Sequence, residues 1–442
     1  MNIRLSKLVA RDRMKIAFFV NAFPLVSETF ILDQVVSLIR CGHDVHIYTL
    51  GWAAETSSTQ HADVERYGLL ERIQTQTDVN SRLARIWSVS KRAARWGWRS
   101  PETVAESLNA LRYGRLAFGL FKLNEFLPAE HIDPMSYDVI HCHFGPNGQR
   151  ALAWRKFGAL RGPIVTTFHG YDVNKLPRIH GPDLYKTLFR NGETFTVGSE
   201  FLKRRIIALG APENRVAKLV MGVDLSRFPF SERVKSIDGE FRLLTVARLV
   251  EVKGIEYALR ALAGLREKHP EIRYQIIGDG PLRAQLEALS ADLGLAKKVD
   301  FLGEMSRDVV IGKLMAAHAF ILPSVVTASG EEENQSVALA EAQASGLPVI
   351  ATAVGGNAET IRNGQSGFLV PPRNPEALAS SIGWLAEHPE AWGPTGRAGR
   401  AHVESLFGLE RSNNQLLEIY HSAIRRYFSG GGVALSVQDQ SS

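Results

Sequence analysis

Residues 316–351 read AAHAFILPSVVTASGEEENQSVALAEAQASGLPVIA, and the order of residue types here decides the fold class. Ala316–Ser324 is a short apolar run with Phe320, Ile321 and Leu322 in succession, as in a strand buried on both faces. A polar, acidic segment follows. Val337 then opens a helical run that breaks at Gly346, and PVIA (348–351) begins another buried strand. Strand, loop, helix, strand is the unit of a parallel, doubly wound sheet, whose ligands bind at the carboxyl ends of the strands. Glu333 precedes the helix and Glu341 lies within it, eight positions on. Eight helical positions bring two side chains to about 80° apart. The amides of Asn334, Gln335, Ser336 and Val337 fall at the helix N-terminus, where unpaired N–H groups and the helix dipole favour an anion. Two carboxylates suited to hydroxyl groups, beside amides suited to phosphate, fit a nucleotide sugar. The spacing equally fits a solvated acidic loop (Glu331, Glu332, Glu333) followed by an ordinary amphipathic helix.

The same unit recurs on either side. Upstream, FRLLTVARLV (241–250) reads as a strand entering a loop, VKGIEYALRALAGLREKH (252–269) as a helix, YQIIG (274–278) and VDFLG (299–303) as strands. The first half holds MKIAFFV (14–20), a loop, a helix from about Glu28 to Arg40 that Ser27 would cap, DVHIYTL (44–50), DVIHCHFGPNG (138–148), PIVTTFHGYDV (163–173) and FTVGSEFLKRRIIALG (195–210), with a Ser199 cap. His169 ends a predicted parallel strand, where α/β ligands bind, although a lone histidine there is also a common structural residue. The first βα turn lacks the glycine fingerprint of dinucleotide binding, which counts against a nicotinamide enzyme. The polar stretch SERVKSIDGE (231–240) marks the boundary between two doubly wound halves, and a ligand cleft is expected between them.

Composition narrows the class. A chain of 442 residues with 45% hydrophobic and 22% charged residues is that of a soluble protein of two or three domains. Two cysteines, Cys41 and Cys142, are too few for a disulfide framework or a cysteine metal site, and a reducing compartment is expected. No apolar run reaches 18 residues, and MNIRLSKLVARDR lacks a signal peptide's apolar middle. The net charge of +6 points to anionic partners. Residues 79–101 hold Arg82, Arg85, Lys91, Arg92, Arg95 and Arg99 with no acidic residue, interleaved with Trp87, Trp96 and Trp98. As a helix they place most basic residues on one side, and Leu83, Ile86, Trp87 and Ala94 on another. That pattern suits an anionic membrane interface, and also a solvated helix whose tryptophans pack on the domain. No nucleic-acid-binding module surrounds it, so no nucleic-acid partner is expected.

VARLVEVKG (246–254), IIGDGPL (276–282), VDFLGEM (299–305), the pair Glu333/Glu341, EAQASGLPVIAT (341–352), VGGNAE (354–359) and GFLVPP (367–372) occur together over about 130 residues. In this order and spacing they resemble the retaining glycosyltransferases of family 4, which have the GT-B fold of two Rossmann-like domains facing a central cleft. FVNAFPLVSETFI (19–31), HCHFG (141–145) and FHGYD (168–172) are similar to a subset that builds bacterial exopolysaccharides such as colanic acid. The resemblance implies an α/β protein with an extension (1–13), an acceptor domain (14–225), a linker (226–240) and a donor domain (241–408). A C-terminal helix (409–428) would return to the first domain, and a disordered tail (429–442) would follow.

It also implies a metal-independent enzyme without cofactor, cytoplasmic and peripheral on the inner face of the membrane. The enzyme would move a sugar from a nucleoside diphosphate to a lipid-linked oligosaccharide. Arg248 and Lys253 would grip the diphosphate with the amides of Asn334, Gln335, Ser336 and Val337. Glu341 would hold the ribose, and Gly278 and Leu302 would help form the base pocket. Glu333 and His169 would act at the sugar, with Asn21, Phe23, His143 and Asp172 on the acceptor side. Many family members have glycine after the first glutamate, where this chain has Asn334. A nucleotide-sugar epimerase of similar fold and an inactive scaffold in a polysaccharide assembly complex are the alternatives.

Overall fold

The computed structural model describes residues 13–25, 28–50, 62–75, 82–113, 117 and 120–429. The expected Ser27 cap, the first twelve residues of the extension, residues 79–81 and the tail beyond Ser429 lie outside them.

The first half forms strands β1 (Lys15–Val20), β2 (Asp44–Thr49), β3 (Ile73–Thr75), β4 (Met135–Ser136), β5 (Val139–His143), β6 (Leu160–Arg161), β7 (Ile164–Phe168), β8 (Thr194–Val197) and β9 (Val216–Lys218). Seven of them make one parallel sheet in the order β3-β2-β1-β5-β7-β8-β9, and β4 pairs with β6 apart from it. The second half forms β10 (Phe241–Val246), β11 (Ile272–Ile277), β12 (Val299–Gly303), β13 (Ala319–Leu322), β14 (Val349–Thr352) and β15 (Gly367–Val370). These make a parallel sheet in the order β12-β11-β10-β13-β14-β15. Each order reverses once, between β1 and β5 and between β10 and β13. A crevice opens at such a reversal because successive helices leave on opposite faces.

Both faces of each sheet are covered, which explains the unbroken apolar runs. Along β1, Ile16, Phe18 and Val20 join one buried cluster with Val35, Leu416 and Tyr420, while Ala17 and Phe19 join another with Trp154 and Phe157. Leu416 and Tyr420 belong to the last helix, Leu409–Ser429, which therefore lies on the first sheet. The Tyr420 hydroxyl is 2.7 Å from His141 Nδ1. The chain crosses between halves at two adjacent points. Val223 N–H donates to Phe407 O (2.7 Å) and Leu409 N–H to Val223 O (3.0 Å). A side chain on Gly222 would meet Leu409 Cα at 2.6 Å, so this crossing needs glycine.

The helix Arg82–Trp96 forms, and two of its arginines turn inward. Arg92 is only 3% exposed, and its guanidinium donates to the carbonyls of Asn124 and Leu127, each at 3.0 Å. Arg85 is buried, 3.6 Å from the centroid of the Phe121 ring. Arg95 donates to Ile132 O at 3.2 Å. The Arg92 and Arg95 guanidinium groups thus donate to main-chain carbonyls of the segment 124–132. The apolar residues turn outward instead: Leu83 is 79%, Trp87 64% and Trp98 70% exposed. Trp96, by contrast, is buried in the core.

Candidate functional site

The site is assembled from loops at the two sheet reversals. After β10, Arg248 stands exposed, and its guanidinium closes no ion pair among the described residues. A turn, Glu251–Lys253, follows. Gly254 (φ 60°) ends it, and a Cβ there would lie 2.1 Å from Pro323 O, so only glycine lets the turn press onto the end of β13. That approach puts Lys253 Nζ 2.5 Å from Glu333 Oε2, with Ser324 Oγ at 3.3 Å from the same oxygen.

The three consecutive glutamates take three different partners. Glu331 pairs with Lys175, and Glu332 lies 3.4 Å from Arg205. Both cations belong to the first half, and only Glu333 turns toward Lys253. The double glycine holds this segment in place. Gly355 has φ 54°, and a Cβ there would sit 1.7 Å from Glu333 O, while Gly356 N–H donates to that oxygen at 3.1 Å.

The helix Val337–Ala344 begins as expected, with Ser336 Oγ accepting from Leu339 N–H. The side chains just before it are engaged across the cleft. Asn334 Oδ1 accepts from Ser199 Oγ (2.6 Å), and the Gln335 amide both accepts from and donates to the Met221 main chain (2.8 and 3.0 Å). Asn334 Nδ2 has no hydrogen-bond partner among the described residues. Glu341 is largely enclosed on the helix. Burial pushes its carboxyl up to about 7, with Arg307 acting in the opposite direction and Asp33 adding to the rise. Gly278 (φ 127°) lies where a Cβ would be 2.0 Å from Ala247 O, which fixes the loop leading to Arg248. Leu302 is half-buried against the core.

On the facing sheet, His143 ends β5 and His169 follows β7. His143 Nδ1 is 3.0 Å from His169 Nε2. Asp172 does not face the cleft as an open carboxylate. It is fully buried, and it accepts from the N–H groups of Gly145 (2.9 Å), His169 and Gly170 (3.0 Å each). Burial pushes it up to about 6 against those amides. It thus holds the His169 main chain. Asn21 Oδ1 accepts from Asn147 Nδ2 at 3.0 Å. Phe23 is 4% exposed in the β1 core cluster, so it packs the domain instead of lining an acceptor surface.

Four residues at the site were not singled out from sequence. Glu28 begins the helix Thr29–Arg40, and its Oε2 is buried without a hydrogen-bond partner among the described residues. Burial pushes this carboxyl up to about 7, while the Arg248 guanidinium opposes the shift. Asp33 and Gln34 lie on the same helix, and Arg307 opens Arg307–Ala316. The available signal was Asp33 within the apolar run ILDQVV, a charge on a face that must be buried.

Comparison with known proteins bears on the identity of this arrangement. The family model for Glycosyltransferase Family 4 matches residues 27–227, and that for Glycosyl transferases group 1 matches residues 227–401. A putative colanic acid biosynthesis glycosyltransferase, WcaL of Salmonella typhimurium, is 34% identical over 417 residues, covering 92% of this chain and 99% of WcaL. The chain belongs to the family 4 glycosyltransferases. The amylovoran biosynthesis glycosyltransferase AmsK of Erwinia amylovora is 32% identical over 414 residues, covering 92% of this chain and 99% of AmsK. Among solved structures, Anabaena HepE in complex with UDP superposes with a TM-score of 0.66 at 18% identity, over 91% of this chain and 98% of HepE. Sucrose-phosphate synthase of Thermosynechococcus elongatus gives 0.65 at 20% identity, over 95% and 100%. This glycosyltransferase therefore has the GT-B fold, an α/β architecture of two Rossmann-like domains. Among its described residues no helix is long and apolar enough to cross a membrane.

Proposed function

We propose that this glycosyltransferase moves a sugar from a nucleoside diphosphate to a lipid-linked oligosaccharide in exopolysaccharide assembly, with retention and without a metal ion. The observation that carries the donor reading is the exposed Arg248 guanidinium, which closes no ion pair among the described residues, on the same loop as Lys253 at the reversal of the second sheet. An anion is the ligand that position can hold. Arg248 and Lys253 take the diphosphate, with the 334–337 amides, and Lys253 leaves Glu333 as it does so. Their charge stabilises the departing nucleoside diphosphate, the part a metal plays elsewhere. Glu341 accepts from the ribose hydroxyls, Gly278 and Leu302 border the base, and Glu333 and His169 meet the sugar. The bond from the anomeric carbon to the phosphate oxygen breaks, and the acceptor oxygen bonds to that carbon on the same face. The acceptor's proton passes to the departing phosphate oxygen. The names of WcaL and AmsK support the exopolysaccharide reading, and the HepE complexes with UDP and UDP-glucose support the donor class.

The protein works at the inner face of the membrane, held by Leu83, Ile86, Trp87 and Trp98, all exposed on or just after one helix. Lys91, Arg95 and Arg99 are exposed beside them. Exposed tryptophans flanked by cations suit the lipid interface.

A thermal-shift panel of nucleoside diphosphates and their sugars, with and without EDTA, tests the donor reading. A ligand at about a hundred times its Kd adds on the order of 2.7 kcal/mol. A shift by one nucleotide, unchanged by EDTA and lost in Arg248→Ala, is the expected result. No shift by any nucleotide overturns it.

A further inference from the structure

Three side chains from three elements form a hydrogen-bonded line in the first domain. Gln34 Oε1, on the helix Thr29–Arg40, is 3.0 Å from His143 Nε2 at the end of β5. His143 Nδ1 is 3.0 Å from His169 Nε2, just after β7. The remaining ring nitrogen, His169 Nδ1, is buried and has no partner among the described residues. The line borders a small pocket lined by Gln34, His143 and His169 with Phe30, Met221 and Asn413.

Both rings are neutral. Burial holds His143 well below the usual imidazole range, helped by His141 and His169, and lowers His169 to about 3. A neutral imidazole carries one N–H and one lone pair, and an amide oxygen only accepts. Facing the Gln34 oxygen, His143 must carry its hydrogen on Nε2, which leaves Nδ1 as a lone pair. Facing that lone pair, His169 must carry its hydrogen on Nε2. Its Nδ1 is then an acceptor with nothing to accept from. One amide, two residues removed from the end of the line, thereby sets the state of that nitrogen. The ring is held in this pose. Phe30 and Phe144 pack against it with centroids 5.0 and 4.5 Å away, and Asp172 ties down the main chain of His169. A buried acceptor left empty costs free energy, and a sugar hydroxyl is a donor that satisfies it.

We propose that Gln34 is a positioning residue that fixes His169 as its Nε2–H tautomer, so that His169 Nδ1 accepts a hydrogen bond from a substrate hydroxyl. The second clause rests on the reading that His169 meets the sugar; the first does not.

The experiment takes the full chain, labelled with nitrogen-15 at histidine, with His169 assigned from the spectrum of His169→Asn. In the wild-type protein the His169 Nδ1 signal should be that of an unprotonated nitrogen and Nε2 that of a protonated one. Gln34→Glu, whose carboxylate also accepts, should keep this pattern. Gln34→Leu should let both tautomers appear, and Gln34→Lys, a donor, should reverse the line. Transfer is then assayed with the nucleotide sugar that the thermal-shift panel identifies. Gln34→Leu should lose about tenfold in kcat/KM, the scale of one hydrogen bond, and Gln34→Glu should stay close to wild type. The Kd for the bare nucleoside diphosphate should not move in any variant that melts normally. A protonated Nδ1 in the wild type overturns the proposal, as does a His169 tautomer indifferent to Gln34→Leu. A tautomer that follows Gln34 in a protein that binds no nucleotide would instead overturn the donor reading.

Discussion

Asp33 and Arg307 clasp the two domains through a bidentate ion pair, with oxygen–nitrogen distances of 2.7 and 2.9 Å, and Arg307 stands 4.0 Å from Glu341. A helix of the first domain therefore contributes to the electrostatics of a carboxyl in the second. Both partners of the pair are nearly buried, at 11% and 8% side-chain exposure. Removing either side chain deprives the other of its bidentate partner, at a cost of about 3–5 kcal/mol. Asp33→Asn should lower the urea midpoint accordingly. Asp33→Leu with Arg307→Met should recover much of the loss. Equal losses in the single and double variants would mean that the pair does not couple the domains.

The raised Glu341 carboxyl predicts a pH dependence of opposite sign for folding and for binding. Its folded value of about 7 lies above the 4.5 of an unperturbed glutamate. Its contribution to stability is full below that lower value and is lost as pH rises through about 7. In the proposed role ribose hydroxyls donate to the ionised form, so nucleotide should bind more tightly as pH rises from about 6 to 8, releasing protons. Calorimetry in two buffers of different ionisation enthalpy reads this directly. Glu28 titrates in the same range, so the comparison is made in a Glu28→Gln background. There Glu341→Gln should abolish the proton release, and persistent release would assign it elsewhere.

Gly355 should not tolerate alanine. The left-handed φ of 54° and the 1.7 Å approach to Glu333 O would displace the segment that carries Glu333. A loss of about 1–3 kcal/mol is expected, with weaker nucleotide binding. Gly312 offers the control, since a Cβ there meets nothing within 4 Å. Equal melting of the two variants would contradict the account.

The helix Arg82–Trp96 separates two kinds of substitution. Replacing Leu83, Trp87 and Trp98 by glutamine should abolish flotation with anionic liposomes and leave the melting temperature nearly unchanged. Arg92→Gln should do the opposite, because its buried guanidinium satisfies two carbonyls. Retained flotation in the triple variant would remove this surface from the membrane reading.

The sequence alone determined the architecture, and several of its site residues lie at the two sheet reversals as read. Apolar runs at β1, β10 and β13, the Ser199 cap, the helix after Ser336 and the Gly355–Gly356 pair are local signals, and backbone sterics and hydrogen bonding act locally. The tertiary structure alone decided which glutamate of Glu331, Glu332 and Glu333 meets Lys253, because the other two are drawn to Lys175 and Arg205 on the opposite domain. It also decided that Asp172 and Phe23 support the site from within. The same holds for the helix 82–96, whose Arg92 turns inward to carbonyls some 30 positions away in the chain. These are choices between long-range partners. A one-dimensional pattern shows that a charge must be satisfied, and only packing shows by what.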